Sequence, residues 1–513
     1  MTRAIIAAGH EATAGAAAEV MAAGGNAFDG ICAALCAATV AEPVLASLGG
    51  GGFLLAHPAG AEPLLIDFFT QTPRHCSAPE TLDFRPIVAD FGDTTQEFHI
   101  GLGAMATPGA IAGLFAIQRR LCRLPAADLL EPARRLAAGG VVINAFQHRI
   151  ARIVEPILRA RPEYFALHAS RRDPDRLGEP GERIPQPELA EALARLAREG
   201  AGLLHGGPWG RRLAADCAAQ GGHLRLDDLT GYEVVERAPL VADYRDARLY
   251  LNPPPSIGGL LIALALDLLA AAGPPVERFG SPAHRYRLAQ AMTLTRTARL
   301  DAAKGGRDLA TAGLDPELTA RYRALMAEPR FSRGTTQISI ADANGNVASL
   351  TLSNGEGTAY LLPGTGIVMN NMLGEQDLNP DGFHLWPPGR RISSMMCPTL
   401  VRHTDGGWTV TGSSGSNRIR SAILQVLCNL IDLGLPLDEA VAAPRIHVED
   451  ANLYIEPPVA ADVLADLSGA WPDPIVFREP NVFFGGAHSV AIGPDGALSG
   501  AGDSRRGGVV IRV

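Results

Sequence analysis

Residues 335–353, TTQISIADANGNVASLTLS, constrain this chain more than any other stretch, because apolar residues alternating at period two read as a pair of strands. Thr336, Ile338 and Ile340 fall on one face of a first strand. Ala348, Leu350 and Leu352 fall on one face of a second, and Asn344-Gly345 makes the turn between them. A slip of one residue would send a whole apolar set to the wrong face, so even-numbered positions pair with even-numbered ones. A register centred on Asn344 then sets Thr335 opposite Ser353 on the mostly polar face, with Cβ atoms about 5 Å apart. The sequence thus predicts a threonine–serine hydroxyl couple at a strand start, directly after Gly334. Such couples also occur on ordinary half-exposed strands, so the hairpin alone assigns no function.

The rest of the chain gives that hairpin a large globular setting. With 513 residues, 47% hydrophobic and 19% charged, a sizeable core is available, and disordered or coiled-coil classes are excluded. The segment 11–23 reads as a helix stopped by Gly24-Gly25, and Asn26 caps a second apolar helix to about Val40, with Asp29 suited to its positive end. The four glycines 49–52 lack the Lys-Ser/Thr of a phosphate loop and read instead as close backbone packing beneath a site. Residues 107–330 read as mainly helical, with a strand-like interruption at 241–251, a Pro253-Pro254-Pro255 turn and an apolar helix at 258–272. From Thr335 onward short alternating runs dominate until one long helix at 418–433. Blocks of this kind suggest layered sheets sandwiched by helices.

Charge and cysteine usage exclude some partners. The net charge is −9, and the arginines of 119–195 alternate with acids and apolar residues rather than forming a basic block, which disfavours nucleic acid. Seven scattered cysteines, mostly in apolar runs, read as reduced thiols filling the core in a reducing compartment. The segment 258–272 is too short to span a bilayer and carries Asp267, and the N-terminus has no room for a secretory signal; the expectation is a cytoplasmic protein.

The run Gly334-Thr335-Thr336-Gln337-Ile338-Ser339, followed by Asp342-Ala343-Asn344-Gly345-Asn346, resembles the processing site of gamma-glutamyltranspeptidases, which are cut before the first threonine. Other stretches match in the same order: 24–29, 48–53, Ala106-Thr107-Pro108-Gly109, 252–259, 363–367, Asn370-Asn371-Met372, Ser393-Ser394-Met395 and Thr411-Gly412-Ser413. The resemblance implies an α+β fold, the four-layer αββα sandwich of N-terminal-nucleophile hydrolases. It implies one domain over 1–513 that cuts itself into a large chain, 1–334, and a small chain, 335–513.

The chemistry of such a site is self-contained. The Thr335 hydroxyl attacks the Gly334 carbonyl, and the ester left by the N-to-O shift is hydrolysed by water; glycine at 334 allows the strained geometry. The new α-amino group, with a pKa near neutrality, then serves as base for its own hydroxyl, so neither a metal nor a cofactor is called for. By resemblance, Ser353 hydrogen-bonds the nucleophile, and the backbone amides of Gly415 and Ser416 form an oxyanion hole. Ser393 and Ser394 hold a donor's α-carboxylate, Glu375 takes its α-amino group, and Asn354 is an additional contact. Without the resemblance, 412–417 would read as an ordinary helix start capped by Asn417.

One departure bears on the substrate. Where the family has an arginine that clamps the glutamyl α-carboxylate, this chain has Phe69, and a benzyl ring cannot replace a bidentate guanidinium. Arg74, Arg390 and Arg391 are the candidate substitutes, and otherwise a group near Phe69 in the preferred substrate is expected to be apolar or aromatic. The implied activity is transfer of a γ-glutamyl or related acyl group from an amide such as glutathione to water or an amine. The alternatives are a family member with a changed substrate, either another acylase or a carbon–carbon bond-cleaving enzyme of specialised biosynthesis, and a non-catalytic binding protein. Retention of Gly334, Thr335, Ser353, Ser393, Ser394 and Gly415 argues against the last.

Overall fold

A computed structural model describes residues 3–90, 95–304, 335–379, 382–415, 417–449 and 452–513. Gly334 and Ser416, both named above, lie outside the described residues.

Strands Thr336–Asp342 and Val347–Ser353 pair in the register the alternation predicts, with Thr336 opposite Leu352 and Ala341 opposite Val347. One step further out, that register sets Thr335 against Ser353. The connection closes over Ala343, Asn344 and Gly345, with Gly345 in the left-handed region at φ 88°. Asp342 fixes its shape: one carboxylate oxygen accepts from the Asn344 and Asn346 amides, and the other from the Asn346 side chain and the Ala27 amide, 3.0 Å away.

This hairpin sits in the middle of a seven-stranded sheet. The strand order is Val509–Arg512, Ala4–Ala8, Thr336–Asp342, Val347–Ser353, Gly51–His57, Leu64–Phe68 and Val235–Arg237. A six-stranded sheet lies face to face with it, in the order Leu498–Ala501, Ser489–Ile492, Trp408–Thr411, Thr399–His403, Ala247–Leu251 and Leu240–Tyr244. Even-numbered residues of the hairpin, Ile338, Ile340, Ala348, Leu350 and Leu352, pack outward into a core with the helix Ala27–Ala41. On the far side the helices Gly258–Ala271 and Arg418–Ile431 cover the second sheet, sharing a core with Val401, Val410 and the inward-facing Phe53 and Val347. The result is a four-layer arrangement of helix, sheet, sheet and helix.

The polar face of the hairpin is not half-exposed. Gln337, Ser339, Ser349 and Thr351 are buried between the two sheets, where a hydrogen-bond ladder satisfies them. Gln337 donates to Ser349 (2.9 Å) and accepts from Thr351 (2.6 Å), while Ser349 donates to the Thr411 carbonyl (2.7 Å) and Ser339 to that of His488 (2.8 Å). The Ser339 and Ser349 hydroxyls thus tie one sheet to the other, while that of Thr351 stays within its own sheet.

The expected helices form at Glu11–Ala22, Ala27–Ala41, Gly258–Ala271 and Arg418–Ile431, and Asn26 with Asp29 makes a full capping box. The strand Ala4–Ala8, which no alternation marks in the sequence, lies inside the sheet because it pairs with both Thr336–Asp342 and Val509–Arg512. The mainly helical reading of 107–330 holds for the described part of it; the strand-like stretch at 240–251 is two strands rather than one, and further short strands lie at Val141–Val142, Arg183–Ile184 and Val235–Arg237. Five of the seven cysteines are buried, and all seven are free thiols.

Candidate active site

Thr335 and Ser353 are both buried, at 2% and 4% exposure, at the end of the sheet where the two strands begin and finish. The Ser353 hydroxyl accepts from the Gly355 amide at 3.1 Å. Ser353 in turn pairs with Gly51 on the neighbouring strand. The glycine run explains itself here: a Cβ on Gly50 would stand 2.2 Å from the Ser353 carbonyl oxygen, and one on Gly49 would stand 2.2 Å from that of Val368. Side chains are absent because backbones touch.

Several of the segments that match in sequence meet around this point. Asn370 donates to the carbonyls of Gly49 (2.8 Å) and Ala106 (3.0 Å), and the amides of Gly109 and Ala110 donate to Gly50. Asn371 accepts from the amides of Glu356 and Gly357, fixing the loop that follows Ser353. Glu375 reaches the same loop, since its Oε1 lies 2.3 Å from where a Cβ on Gly355 would be. Asn354 is fully buried, yet neither end of its amide meets a hydrogen-bonding partner among the described residues. Buried amides are normally satisfied, so this one is available to a ligand or water. Ser394 is held by the turn at 254–258, its carbonyl accepting from the Ser256 hydroxyl at 2.8 Å, and Ser393 beside it is half-buried. The Ile392 amide donates to the Thr70 carbonyl, and Thr70 adjoins Gly51, so the segment that carries the two serines runs past the end of the strand Leu64–Phe68.

The loop 412–415 closes the other side. Gly412 lies against the Gln337 side chain, 2.3 Å from an imagined Cβ to Oε1, which brings the loop over the strand Thr336–Asp342. Gly415 has φ 110°, reserved in practice for glycine, and its carbonyl accepts from the Arg418 amide at 3.1 Å. Asn417 does not cap the helix through its side chain; the amide instead donates to Glu449 at 3.0 Å.

Phe69 is 1% exposed and stacked on Phe53 at 5.2 Å between ring centroids, inside the core shared by the two sheets. It offers little surface to a ligand. Of the three candidate arginines, Arg391 has its guanidinium engaged beside Phe69. Arg391 is spent on Asp67 (3.2 Å) and the carbonyls of Phe69 and Glu233, Arg74 donates to the Gly231 carbonyl, and Arg390 is exposed.

Sequence reasoning missed two charged residues beside Thr336 and Gly415. Glu42, 1% exposed, accepts from the hydroxyls of Thr13 (2.7 Å) and Thr336 (2.8 Å). Burial pushes its carboxyl above the usual range, against the pull of those two hydrogen bonds and of Arg506. Arg506 lies beside Gly415, its Nη2 2.9 Å from the position of a Cβ there. Burial pushes its guanidinium down to about 10, assisted by Arg418 and opposed by Glu356 and Asp503. A lone acid ending an apolar helix, Val40-Ala41-Glu42-Pro43, was the one available signal for Glu42.

The family model described as Gamma-glutamyltranspeptidase matches residues 13–513. The chain belongs to that family. Among its relatives, an Acylase ACY 1 proenzyme of Pseudomonas sp. (strain V22) is 31% identical, covering 100% of this chain and 94% of the relative. A Glutathione hydrolase proenzyme of Escherichia coli (strain K12) is 28% identical over 95% of this chain and 88% of its own. The crystal structure of cephalosporin acylase from Bacillus halodurans superposes with TM-score 0.85 and 22% identity, covering 99% of this chain and 96% of that one, which shows the shared fold. As a gamma-glutamyltranspeptidase family member, this is a self-processing enzyme of the N-terminal-nucleophile type that acts on γ-glutamyl or other amide substrates. Family members process themselves into large and small chains and act on small amides. Among the described residues no helix is long and apolar enough to cross a membrane.

Proposed function

We propose that the enzyme is an acylase whose preferred amide lacks the free α-amino-acid end of a γ-glutamyl donor. The observation that carries this reading is the burial of Phe69, which the resemblance sets at the family's carboxylate clamp: its ring is stacked on Phe53, and the nearby Arg391 is committed to Asp67 and two carbonyls. The full-length identity to an Acylase ACY 1 proenzyme supports it. In this reading the precursor is one domain over 1–513, cut between Gly334 and Thr335 into chains that stay interleaved in the same sheets.

The roles follow from the register. The freed α-amino group of Thr335 takes the proton of its own hydroxyl, Oγ attacks the amide carbonyl, and the amine leaves with that proton. Ser353, opposite in the ladder, polarises the nucleophile. The amides of Gly415 and Ser416 receive the oxyanion, and Asn354, with its unpartnered buried amide, meets the acyl group. Water then attacks the Thr335 ester, releasing the acid and restoring the hydroxyl; an amine in place of water gives transfer. The free, mostly buried cysteines fit a cytoplasmic enzyme.

A second reading, γ-glutamyl transfer proper, is favoured by retention of Ser393, Ser394 and a buried acid at Glu375. Comparing kcat/KM for γ-glutamyl p-nitroanilide and butyryl p-nitroanilide separates the two. A charge-assisted carboxylate contact is worth about 1.5–3 kcal/mol, so its loss lowers γ-glutamyl preference by about one to two powers of ten. The acylase reading expects the butyryl substrate to win by about tenfold or more. The reverse order supports γ-glutamyl transfer.

A further inference from the structure

A second cluster of buried titratable groups stands directly behind the loop that carries Gly415. Glu449, His447, Asn417 and Arg418 are each at most 1% exposed. Glu449 accepts from the Asn417 side chain (3.0 Å), His447 Nε2 (2.9 Å) and Arg418 Nη1 (3.4 Å). The Ser421 hydroxyl, 2.8 Å from His447 Nδ1, donates to it when Nε2 carries the proton that Glu449 receives. Burial holds His447 neutral, its pKa pushed down to about 4, so it supplies an N–H and no charge. Gln425 fastens this group to the helix: it donates to the carbonyls of Ser421 (2.8 Å) and Ile446 (2.9 Å) and accepts from the Ile446 amide (2.8 Å).

A carboxylate in so dry a place is an expensive way to hold two elements together, because a well-packed apolar residue is commonly as stabilising or more so. What a carboxylate adds is direction. Its two oxygens engage the two described residues that follow Gly415, and the backbone amide of one of them, Arg418, holds the Gly415 carbonyl at 3.1 Å. It also supplies the negative charge facing Arg418, whose neighbour Arg506 lies against Gly415.

We propose that Glu449, oriented by His447, is a positioning residue for catalysis that sets the Gly415 loop by holding Asn417 and Arg418. The proposal rests on the reading above in which that loop stabilises the oxyanion. An oxyanion hole acts in the transition state and not in substrate binding, so a loop set wrongly loses kcat and keeps KM.

The test uses the full-length, self-processed enzyme with an anilide substrate and phenylboronic acid, whose adduct on the nucleophile mimics the tetrahedral intermediate. Glu449→Gln is expected to lower kcat tenfold or more with KM within threefold, and to weaken phenylboronic acid by the same factor as kcat/KM. Asn417→Ala, which leaves the carboxylate paired with His447 and Arg418, is expected to give the same pattern more mildly, and it decides the matter if Glu449→Gln does not fold. A lowered melting temperature with kcat and boronate affinity unchanged in the folded variants overturns the proposal. Gly415→Ala locates such a failure. If it weakens phenylboronic acid while the Glu449 and Asn417 variants do not, the oxyanion reading stands and only the positioning role falls; if it too has no effect, both fall.

Discussion

Gly50→Ala is a one-carbon perturbation with a consequence that follows from distances. The backbone of Gly50 is not left-handed, so alanine meets no conformational penalty there. The new Cβ would stand 2.2 Å from the Ser353 carbonyl oxygen and 3.2 Å from the Asn354 Cα. A comfortable carbon–oxygen contact needs about 3.3 Å, so one backbone must retreat by about 1 Å. Gly50 cannot retreat easily, because its carbonyl is held by the amides of Gly109 (2.9 Å) and Ala110 (3.0 Å) and its own amide by Ser47 (3.0 Å). The displacement therefore falls on Ser353 and Asn354. Overpacking of this kind costs about 1–3 kcal/mol, and a shift of about 1 Å at a reacting group costs about a hundredfold in rate. Urea denaturation gives the first figure, and kcat/KM on the better anilide gives the second. Gly15→Ala, in the helix Glu11–Ala22 with nothing within 4 Å of its added carbon, is the control and should stabilise by about 0.5–1 kcal/mol. A Gly50→Ala enzyme with wild-type stability and a rate within twofold would refute the argument that these glycines set the position of Ser353.

Two further outcomes follow from the same geometry. Ser353→Ala is expected to slow both self-cleavage and turnover without abolishing either, since Ser353 only orients and polarises its partner; gel densitometry of the precursor and steady-state rates check this, and a variant with neither activity would make Ser353 part of the reacting couple. His168, His447 and His488 are buried with pKa values pushed down to about 4, mainly by desolvation. Between about pH 6.5 and 4 the unfolded chain binds protons at these positions that the folded chain does not, so stability rises with pH across that window and is lost as pH falls through it. Each histidine contributes a slope of up to about 1.4 kcal/mol per pH unit, and urea unfolding at a series of pH values should show this flattened in His168→Gln; an unaltered slope contradicts a neutral buried His168.

The hairpin was legible in the sequence because period-two alternation and a glycine at the turn fix strand, face and register together, and Thr335 opposite Ser353 followed from them. The glycine run 49–52 was legible for a related reason, since four small residues before a strand leave few other uses. The strand Ala4–Ala8 was not legible. Its sequence carries no alternation, and it is a strand only because Thr336–Asp342 and Val509–Arg512, hundreds of residues away in sequence, flank it. Glu42 and Arg506 escaped for the same reason: a single acid at a helix end and one arginine of a pair say little until tertiary packing buries them beside Thr336 and Gly415. The sequence marks Phe69 as a departure from the resembling family, but only the fold shows that its ring belongs to the core rather than to an open pocket.

The central claim is that Thr335 becomes the N-terminal nucleophile of a small chain by the protein's own chemistry. N-terminal sequencing of the purified protein after standing tests this most directly, with Thr335→Ala handled in parallel. The account predicts that the wild type yields a fragment beginning Thr335-Thr336-Gln337, and that Thr335→Ala remains one uncut chain of 513 residues without turnover. A wild-type chain that stays intact yet fully active, or a Thr335→Ala protein that still turns over substrate, would contradict it.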